Sequence, residues 1–362
     1  MQKNLQKNKF TKIGKFDFSL KKTFVVAEIS SNHNRSLSRA INLIKKAKKA
    51  GADAVKLQTF TAETITLNTN RKDFRLNHLK EKKWRKFKNF YSLYKSAETP
   101  LSWHKKLFNL AKKLKIEIFS SPFDESSVLF LEKLNCVAYK IASPEINHIP
   151  LLIKIAKTKK PVILSTGLAD INDINLAIKT LRKNNSGKIY ILKCNSSYPA
   201  PLEESNLKNI SYLYKKYNLP VGLSDHSIGD TAAISAVSLG ACIIEKHFNL
   251  NDNKKTLDSF FSLNSKEFKI MVEKIRETEK VLGQYNYIIS KSSIKNLKAK
   301  RSIYVSKDIN KNQKITHKNI KVVRPGLSLH PQFYFDIIGK VTKKKLKKGD
   351  RIDLKFLKNI QK

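Results

Sequence analysis

Two histidines raise the first chemical question in this sequence. His226 closes the segment Gly222-Leu223-Ser224-Asp225-His226, and His247 follows within Ile244-Glu245-Lys246-His247-Phe248. Each segment starts apolar and finishes in residues able to ligate, ionise or donate a hydrogen bond, the pattern of a buried strand presenting polar groups at a sheet rim. A single histidine beside an apolar run is usually a hydrogen-bonded structural residue. Two at the ends of adjacent strands can bring both imidazoles to one divalent ion, with water, a substrate oxygen or a carboxylate completing the shell. Nitrogen and oxygen donors without an evident thiolate suit Mn²⁺, with Mg²⁺ or Co²⁺ as alternatives, better than a structural zinc.

The elements that must position these histidines repeat along the chain. Apolar, β-branched runs alternate with amphipathic helical segments: Phe24 to Glu28, Ala54 to Gln58, Ile116 to Ser121, Val137 to Ser143, Pro161 to Gly167, Ile189 to Cys194, and then the two histidine-bearing runs. About eight such units before residue 285 predict an α/β fold, a (β/α)8 TIM barrel over residues 21–284. A doubly wound sheet is the alternative, but no glycine-rich phosphate fingerprint follows the first run.

In a barrel of this kind the carboxyl ends of the strands form the active face. Those ends carry Glu28, Lys56, Gln58, Ser121, Lys140, Ser143, Glu145, Ser196, Ser224 and Glu245 besides the histidines. Lysines and hydroxyls converging beside a metal make a pocket for a small, multiply charged anion, such as a phosphate ester that also bears a carboxylate. Lysine in a basic chain is mostly solvated, but Lys56 and Lys140 are flanked by apolar strand residues and are expected to be functional.

Several ordered motifs resemble the sialic acid synthase family: Ala27 to Asn34, Lys56 to Phe60, Ser120-Ser121-Pro122-Phe123-Asp124, Tyr139 to Ser143, Leu164 to Gly167, Lys193 to Pro199, Gly222 to His226, and Glu245 to Phe248. The resemblance runs from residue 22 to the end. It implies a transferase that condenses phosphoenolpyruvate with the open-chain aldehyde of an acetamido sugar, giving a nine-carbon 2-keto acid and phosphate. By the same carry-over, His226 and His247 hold the metal, while Lys56, Ser121, Lys140, Ser143, Ser196 and Ser224 cradle phosphoenolpyruvate. Glu145 accepts a proton from water or a sugar hydroxyl, and Gln58, Tyr198 and Asp258 face the sugar. Glu28 acts in catalysis or in support of it. Leu93 to Pro100, Pro144 to Asn147, Lys193-Cys194 and Leu257 to Leu263 resemble the pseudaminate branch, with N-acetylneuraminate and legionaminate synthases as the alternatives. Asn195 stands where the family generally has Thr, and Arg35 where Gly or Gln is commoner.

Beyond Gly283 the pattern changes to a polar linker, residues 285–298, and then short strands with turns over residues 299–362. The latter resemble the small, mostly-β antifreeze-like (SAF, β-clip) domain of the same family. Arg324, before Pro325-Gly326, matches the arginine that reaches the sugar's acetamido group. The family arrangement implies a domain-swapped homodimer in which that domain caps the other subunit's barrel.

The net charge of +43 favours a second class, a nucleic-acid-binding protein. However, ten of the 72 basic residues are arginine and the rest lysine, clustered on polar helix faces such as Lys45-Lys46 and Lys112-Lys113, without a recognition motif. Solvated faces are the better reading. A catalytically idle barrel is the third, opposed by the ionisable residue at nearly every strand end. The amino terminus lacks an apolar signal core, and no segment reaches membrane-spanning length, so a cytoplasmic enzyme is expected, with residues 1–20 a polar extension. Cys136, Cys194 and Cys242 lie in apolar runs and are expected as thiols.

Overall fold

The computed structural model describes residues 12–77, 84–252 and 254–358. The chain divides into two units, Met1–Gly283 and Gln284–Lys362.

The first unit is a closed parallel barrel. Its strands are β1 (Phe24–Glu28), β2 (Ala54–Thr59), β3 (Glu117–Pro122), β4 (Tyr139–Ile141), β5 (Val162–Ser165), β6 (Ile189–Cys194), β7 (Val221–Asp225) and β8 (Ile243–Asn249). Each pairs with the next, and β8 pairs with both β7 and β1, which closes the ring. These strands are buried almost throughout. Side chains fill the barrel interior and helices cover its outside, which is why the strands read as apolar runs rather than alternating ones.

The helices supply the outer layer by ordinary amphipathic spacing. Helix Leu37–Lys49 starts at Ser36, whose side chain accepts from the Arg39 N–H, and it buries Ala40, Leu43, Ile44 and Ala47. Lys45, Lys46, Lys48 and Lys49 of the same helix are exposed, as are Lys112 and Lys113 of helix Leu101–Leu114. The basic excess therefore lies, at these helices, on solvated faces.

Two boundaries in this unit differ from expectation. β4 is shorter than the run from Val137 to Ser143, because Ser143–Glu145 turns into a 3₁₀ helix around Pro144. Residues 1–11 of the polar extension lie outside the described residues, and residues 12–20 are not a mere extension. They form a hairpin, Lys12–Ile13 against Phe16–Asp17, followed by a short 3₁₀ turn. Ile13 is fully buried, and Phe16 and Phe18 pack on Phe24 at ring-centroid distances of 4.6 and 5.9 Å. Phe18 also meets Tyr190 at 4.9 Å, and the Lys15 N–H donates to Glu117 at 2.9 Å. All of these partners sit at strand starts, so the hairpin seals the barrel end opposite the candidate site. Ile13→Ala is expected to cost about 2–5 kcal/mol, the range for truncating a buried Ile, as measured by urea denaturation. A loss under about 0.5 kcal/mol, typical of surface changes, would make the hairpin an ornament.

The second unit has its own core of Ile303, Val305, Ile309, Ile315, Ile320, Ile337, Leu346, Ile352 and Leu357. Two short antiparallel pairs frame it: β9 (Ser302–Val305) with β10 (Ile320–Val323), and β11 (Val341–Thr342) with β12 (Leu357–Lys358). The stretch expected as a linker is partly ordered, since Lys291–Ala299 forms a 3₁₀ helix capped by Ser290. Among the described residues no helix is long and apolar enough to cross a membrane, and Cys136, Cys194 and Cys242 are free thiols.

Candidate active site

Strand register decides which strand-end side chains meet. Glu28 on β1 lies level with Lys56 on β2 and with His247 on β8. Gln58 lies level with Ser121, Cys194 with Ser224, and Ser224 with Glu245. Residues scattered over more than two hundred positions of sequence thus form one ring.

The floor of the ring is an ionic cluster. Lys56 pairs with Glu28, lies 3.9 Å from Glu245 and donates to the Ser121 hydroxyl at 3.3 Å. Lys140 donates to Glu245 Oε1 at 3.0 Å, and the Ser224 hydroxyl donates to the same oxygen at 3.0 Å. All four ionisable side chains are buried. Burial pushes the Glu28 carboxyl above its ordinary value against the opposing pull of Lys56. At Glu245 burial acts in the same direction, but Lys140 and Lys56 outweigh it and hold this carboxyl below its ordinary value. Lys56 is held above the usual lysine value because Glu245 and Glu28 overcome its burial. Two ammonium groups therefore share one firmly ionised carboxylate and one that retains its affinity for a proton. Two carboxylates thus hold the two ammonium groups in place, and a proton taken up by Glu28 would leave net positive charge for an anionic ligand.

Hydroxyls line the neighbouring arc. Ser143 Oγ accepts the Gly167 N–H at 2.8 Å. A Cβ on Gly167 would stand 2.3 Å from Ser196 Oγ and 2.9 Å from both Ser143 Oγ and Cys194 Sγ, so only glycine lets the end of β5 approach this closely. The buried Ser165 hydroxyl and Glu245 Oε2 have no hydrogen-bond partner, an expensive state in a dry interior unless a ligand completes it.

Glu145 reaches the cavity because the 3₁₀ turn ends β4 early. Its Oε2 is buried without a hydrogen-bond partner, and burial pushes its pKa up to about 7, with its own backbone N–H and Lys140 opposing. That suits a group that must take up and release protons near neutrality.

The two histidines come together as the spacing predicts, with ring centroids 5.3 Å apart. His226 Nδ1 lies 2.7 Å from the Asn195 carbonyl oxygen, which fixes Nδ1 as the donor and turns the Nε2 lone pair elsewhere. His247 Nδ1 is buried without a partner, and burial, reinforced by His226, holds this imidazole neutral. Both rings fit a divalent ion. Among the described residues no group of three or more His, Cys, Asp or Glu is arranged to hold one. An ion held by these two rings would take its remaining ligands from water or substrate.

Above the floor lies a cavity of about 470 Å³ lined by Gln58, Glu145, Tyr198, His247 and Asp258 among others. Tyr198 packs against His226 with ring centroids 4.5 Å apart and the planes tilted by 47°. Asp258 accepts from the hydroxyls of Ser30 and Ser31, the latter at 2.7 Å. The two departures from the family pattern have local explanations. His226 uses the backbone carbonyl of Asn195, while the Asn195 side chain accepts the Ser197 N–H and donates to Glu204, each at 3.1 Å. Arg35 sits at φ 54°, a left-handed backbone where glycine is commonest, and ties Lys95 O at 2.8 Å and Glu98 at 3.3 Å. Arg324 belongs to the second unit, where it is exposed and lines a cleft of about 680 Å³ with Tyr304, Ser306, Lys321 and Pro325.

Sequence reasoning noticed Glu245 but gave it no role, and the structure puts it at the centre of the lysine pair. Its signal was its place two residues before His247, on the same inward face of β8. Ser165, Gly167 and Trp84 were also given no role. Trp84 is fixed by donating its indole N–H to the Leu257 carbonyl at 3.3 Å.

The NeuB family model matches residues 43–287, and the SAF domain model matches residues 300–358. Among curated proteins, the pseudaminic acid synthase of Campylobacter jejuni is 44% identical over 340 residues, covering 94% of this chain and 98% of that protein. The pseudaminic acid synthase of Helicobacter pylori is 44% identical over 324 residues, covering 89% and 94%. The crystal structure of spore coat polysaccharide biosynthesis protein SpsE from Bacillus subtilis superposes with a TM-score of 0.64 at 32% identity, over 98% of this chain and 100% of that one. Barrel, C-terminal domain and near full-length identity agree, and the chain belongs to the NeuB family, whose synthases condense phosphoenolpyruvate with sugars.

Proposed function

We propose that this enzyme makes pseudaminic acid, by condensing phosphoenolpyruvate with a six-carbon 2,4-diacetamido-trideoxy sugar to a nine-carbon 2-keto acid and phosphate. N-acetylneuraminate and legionaminate synthesis are the alternatives within the family. The observation that carries the reading is the pair of buried ammonium groups, Lys56 and Lys140, on the same ring of strand ends as His247, which with Glu145 lines the cavity. The near full-length identity to two pseudaminic acid synthases supports the choice of sugar.

In this account Lys56, Lys140, Ser121, Ser143, Ser196 and Ser224 hold the phosphate and carboxylate of phosphoenolpyruvate. Its enol carbon attacks the sugar's aldehyde carbon, forming the new C–C bond as the carbonyl π pair passes to the aldehyde oxygen, which takes up a proton to become a hydroxyl, and leaving cationic character at C2. Water adds at C2, giving up a proton, and phosphate leaves with the bridging oxygen as the C2–O bond breaks. Glu145 accepts the proton from that water or from a sugar hydroxyl, while Gln58, Tyr198 and Asp258 orient the sugar. Glu28 pairs with Lys56 and thereby sets the charge presented to the substrate. A divalent ion, Mn²⁺ by preference, would be held by His226 and His247 and would polarise the aldehyde oxygen. Arg324 would contact the acetamido group across a domain-swapped homodimer in the cytoplasm.

The test of the reading is phosphate release from phosphoenolpyruvate across a panel of acetamido and diacetamido hexoses. Release with the 2,4-diacetamido-trideoxy sugar is expected, and release with N-acetylmannosamine alone would move the assignment to the N-acetylneuraminate branch.

Glu145→Gln is expected to leave phosphoenolpyruvate affinity in place and to lower kcat by about two to four orders of magnitude. Because the base must be ionised, kcat/KM of the wild type should rise with pH through about 7, and the Gln variant should lose that limb. The unfolded chain ionises this carboxyl at a lower pH than the folded one. Its contribution to stability therefore falls as pH rises from the ordinary carboxyl range toward that value, and the Gln variant should not show this fall. An unchanged kcat would remove Glu145 from the chemistry.

A further inference from the structure

The cavity's polarity is divided between two sources. Strand ends and their loops contribute Ser30, Ser31, Gln58, Glu145, Tyr198, His247 and Asp258, whereas the excursion after β2 contributes mainly apolar side chains, among them Phe60, Phe90, Leu93 and Tyr94. Trp84 of the excursion reaches the strand-end side, with its ring 5.8 Å from Tyr198, while other ring contacts stay on one side or the other. Phe261 meets His247 at 4.6 Å and Tyr198 meets His226 at 4.5 Å. Phe60, by contrast, contacts Phe123 at 5.0 Å and Tyr94 at 6.0 Å, and Tyr94 contacts Phe90 at 5.9 Å. The second group forms an aromatic wall on the excursion side of the cavity.

This wall is built before any ligand arrives. Helix Phe90–Ala97 carries three of its four residues and is started by Asn89, whose side chain accepts the Ser92 N–H at 2.9 Å. At its other end Glu98 accepts the Ala62 N–H at 3.2 Å, and Arg35 donates to the Lys95 carbonyl at 2.8 Å. A sugar whose aldehyde lies at the histidines and the enol must send its opposite end away from them, toward this wall.

We propose that Phe60, Phe90, Leu93 and Tyr94 form the specificity wall for that end, accepting the methyl group of a 6-deoxy sugar and disfavouring a hydroxymethyl. The proposal rests on the reaction assigned above. A hydroxyl placed there would give up water for a surface whose one polar group is the Tyr94 phenol, whereas a methyl gives up nothing.

The test compares two substrates, the 2,4-diacetamido-trideoxy hexose and the same sugar with a hydroxyl restored at C6, each with phosphoenolpyruvate. The wild type should prefer the deoxy sugar by about 10²-fold in kcat/KM, the scale on which an apolar pocket rejects an added hydroxyl. Leu93→Asn should bring the two within about threefold and leave the KM for phosphoenolpyruvate unmoved, while Leu93→Met should keep the preference. Equal turnover of both sugars by the wild type would overturn the proposal. So would a Leu93→Asn variant that slows both sugars alike and keeps their ratio. Absence of phosphate release with every diacetamido sugar is a different outcome, and it would overturn the reaction assignment together with the wall that depends on it.

Discussion

Lys140→Met should both weaken the barrel and stop the enzyme, and a second substitution should separate the two effects. The Lys140 ammonium is buried 3.0 Å from Glu245. Removing it leaves Glu245 with only Lys56 at 3.9 Å and the Ser224 hydroxyl, so the loss should fall toward the lower end of the about 3–5 kcal/mol seen when a buried pair is broken. The double variant Lys140→Met with Glu245→Leu removes both charges, and apolar replacement of a whole buried pair is often neutral or stabilising. Its unfolding midpoint should return close to wild type. Activity should not return, because an ammonium group that meets phosphoenolpyruvate is still missing. Losing one preorganised donor lowers the rate by about 10²–10³-fold, and kcat/KM for phosphoenolpyruvate in the double variant should show at least that deficit. Recovery of both stability and activity would make Lys140 a structural residue.

The second large effect concerns the histidines. On the proposed metal assignment, His226→Ala, His247→Ala or treatment with a chelator should each abolish turnover, since the two imidazoles, with ring centroids 5.3 Å apart, would be the ion's protein ligands. Losing several kcal/mol of charge stabilisation corresponds to about 10³-fold or more. Added Mn²⁺ should restore the chelated wild type but neither variant, and calorimetric titration of Mn²⁺ should show binding to the wild type alone. Full activity in chelator would refute the metal assignment.

Much of the fold was legible because parallel barrel strands, buried on both faces, announce themselves as apolar runs ending in polar residues. Phe24 to Glu28 and Ile244 to Phe248 show this plainly, and each became a strand within a residue or two of its expected bounds. The site was legible for the same reason, since a residue at a strand's carboxyl end has its direction set by the strand. Features set by tertiary contact alone were not. Glu145 enters the cavity through a 3₁₀ turn, not along a strand, so its role came only from family resemblance. The wall around Phe60, Phe90 and Tyr94 belongs to an excursion with no strand or barrel-helix period to orient it. The segment at residues 12–20 carries Ile13, Phe16, Phe18 and Leu20 in a run too short to show a period, and only its docking on Phe24 and Tyr190 reveals their use. Glu245 looks like an ordinary strand acid until Lys56 and Lys140, far away in sequence, are brought beside it.

The central claim is that the sugar's carbon joins phosphoenolpyruvate and that C2–O, not P–O, is then broken. Phosphoenolpyruvate labelled with heavy oxygen in the bridging position, incubated with enzyme, Mn²⁺ and the diacetamido sugar, tests it most directly by mass spectrometry of both products. The account predicts labelled inorganic phosphate, equimolar with an unlabelled nine-carbon keto acid. Label retained in the keto acid, or labelled phosphate released without sugar, would contradict it.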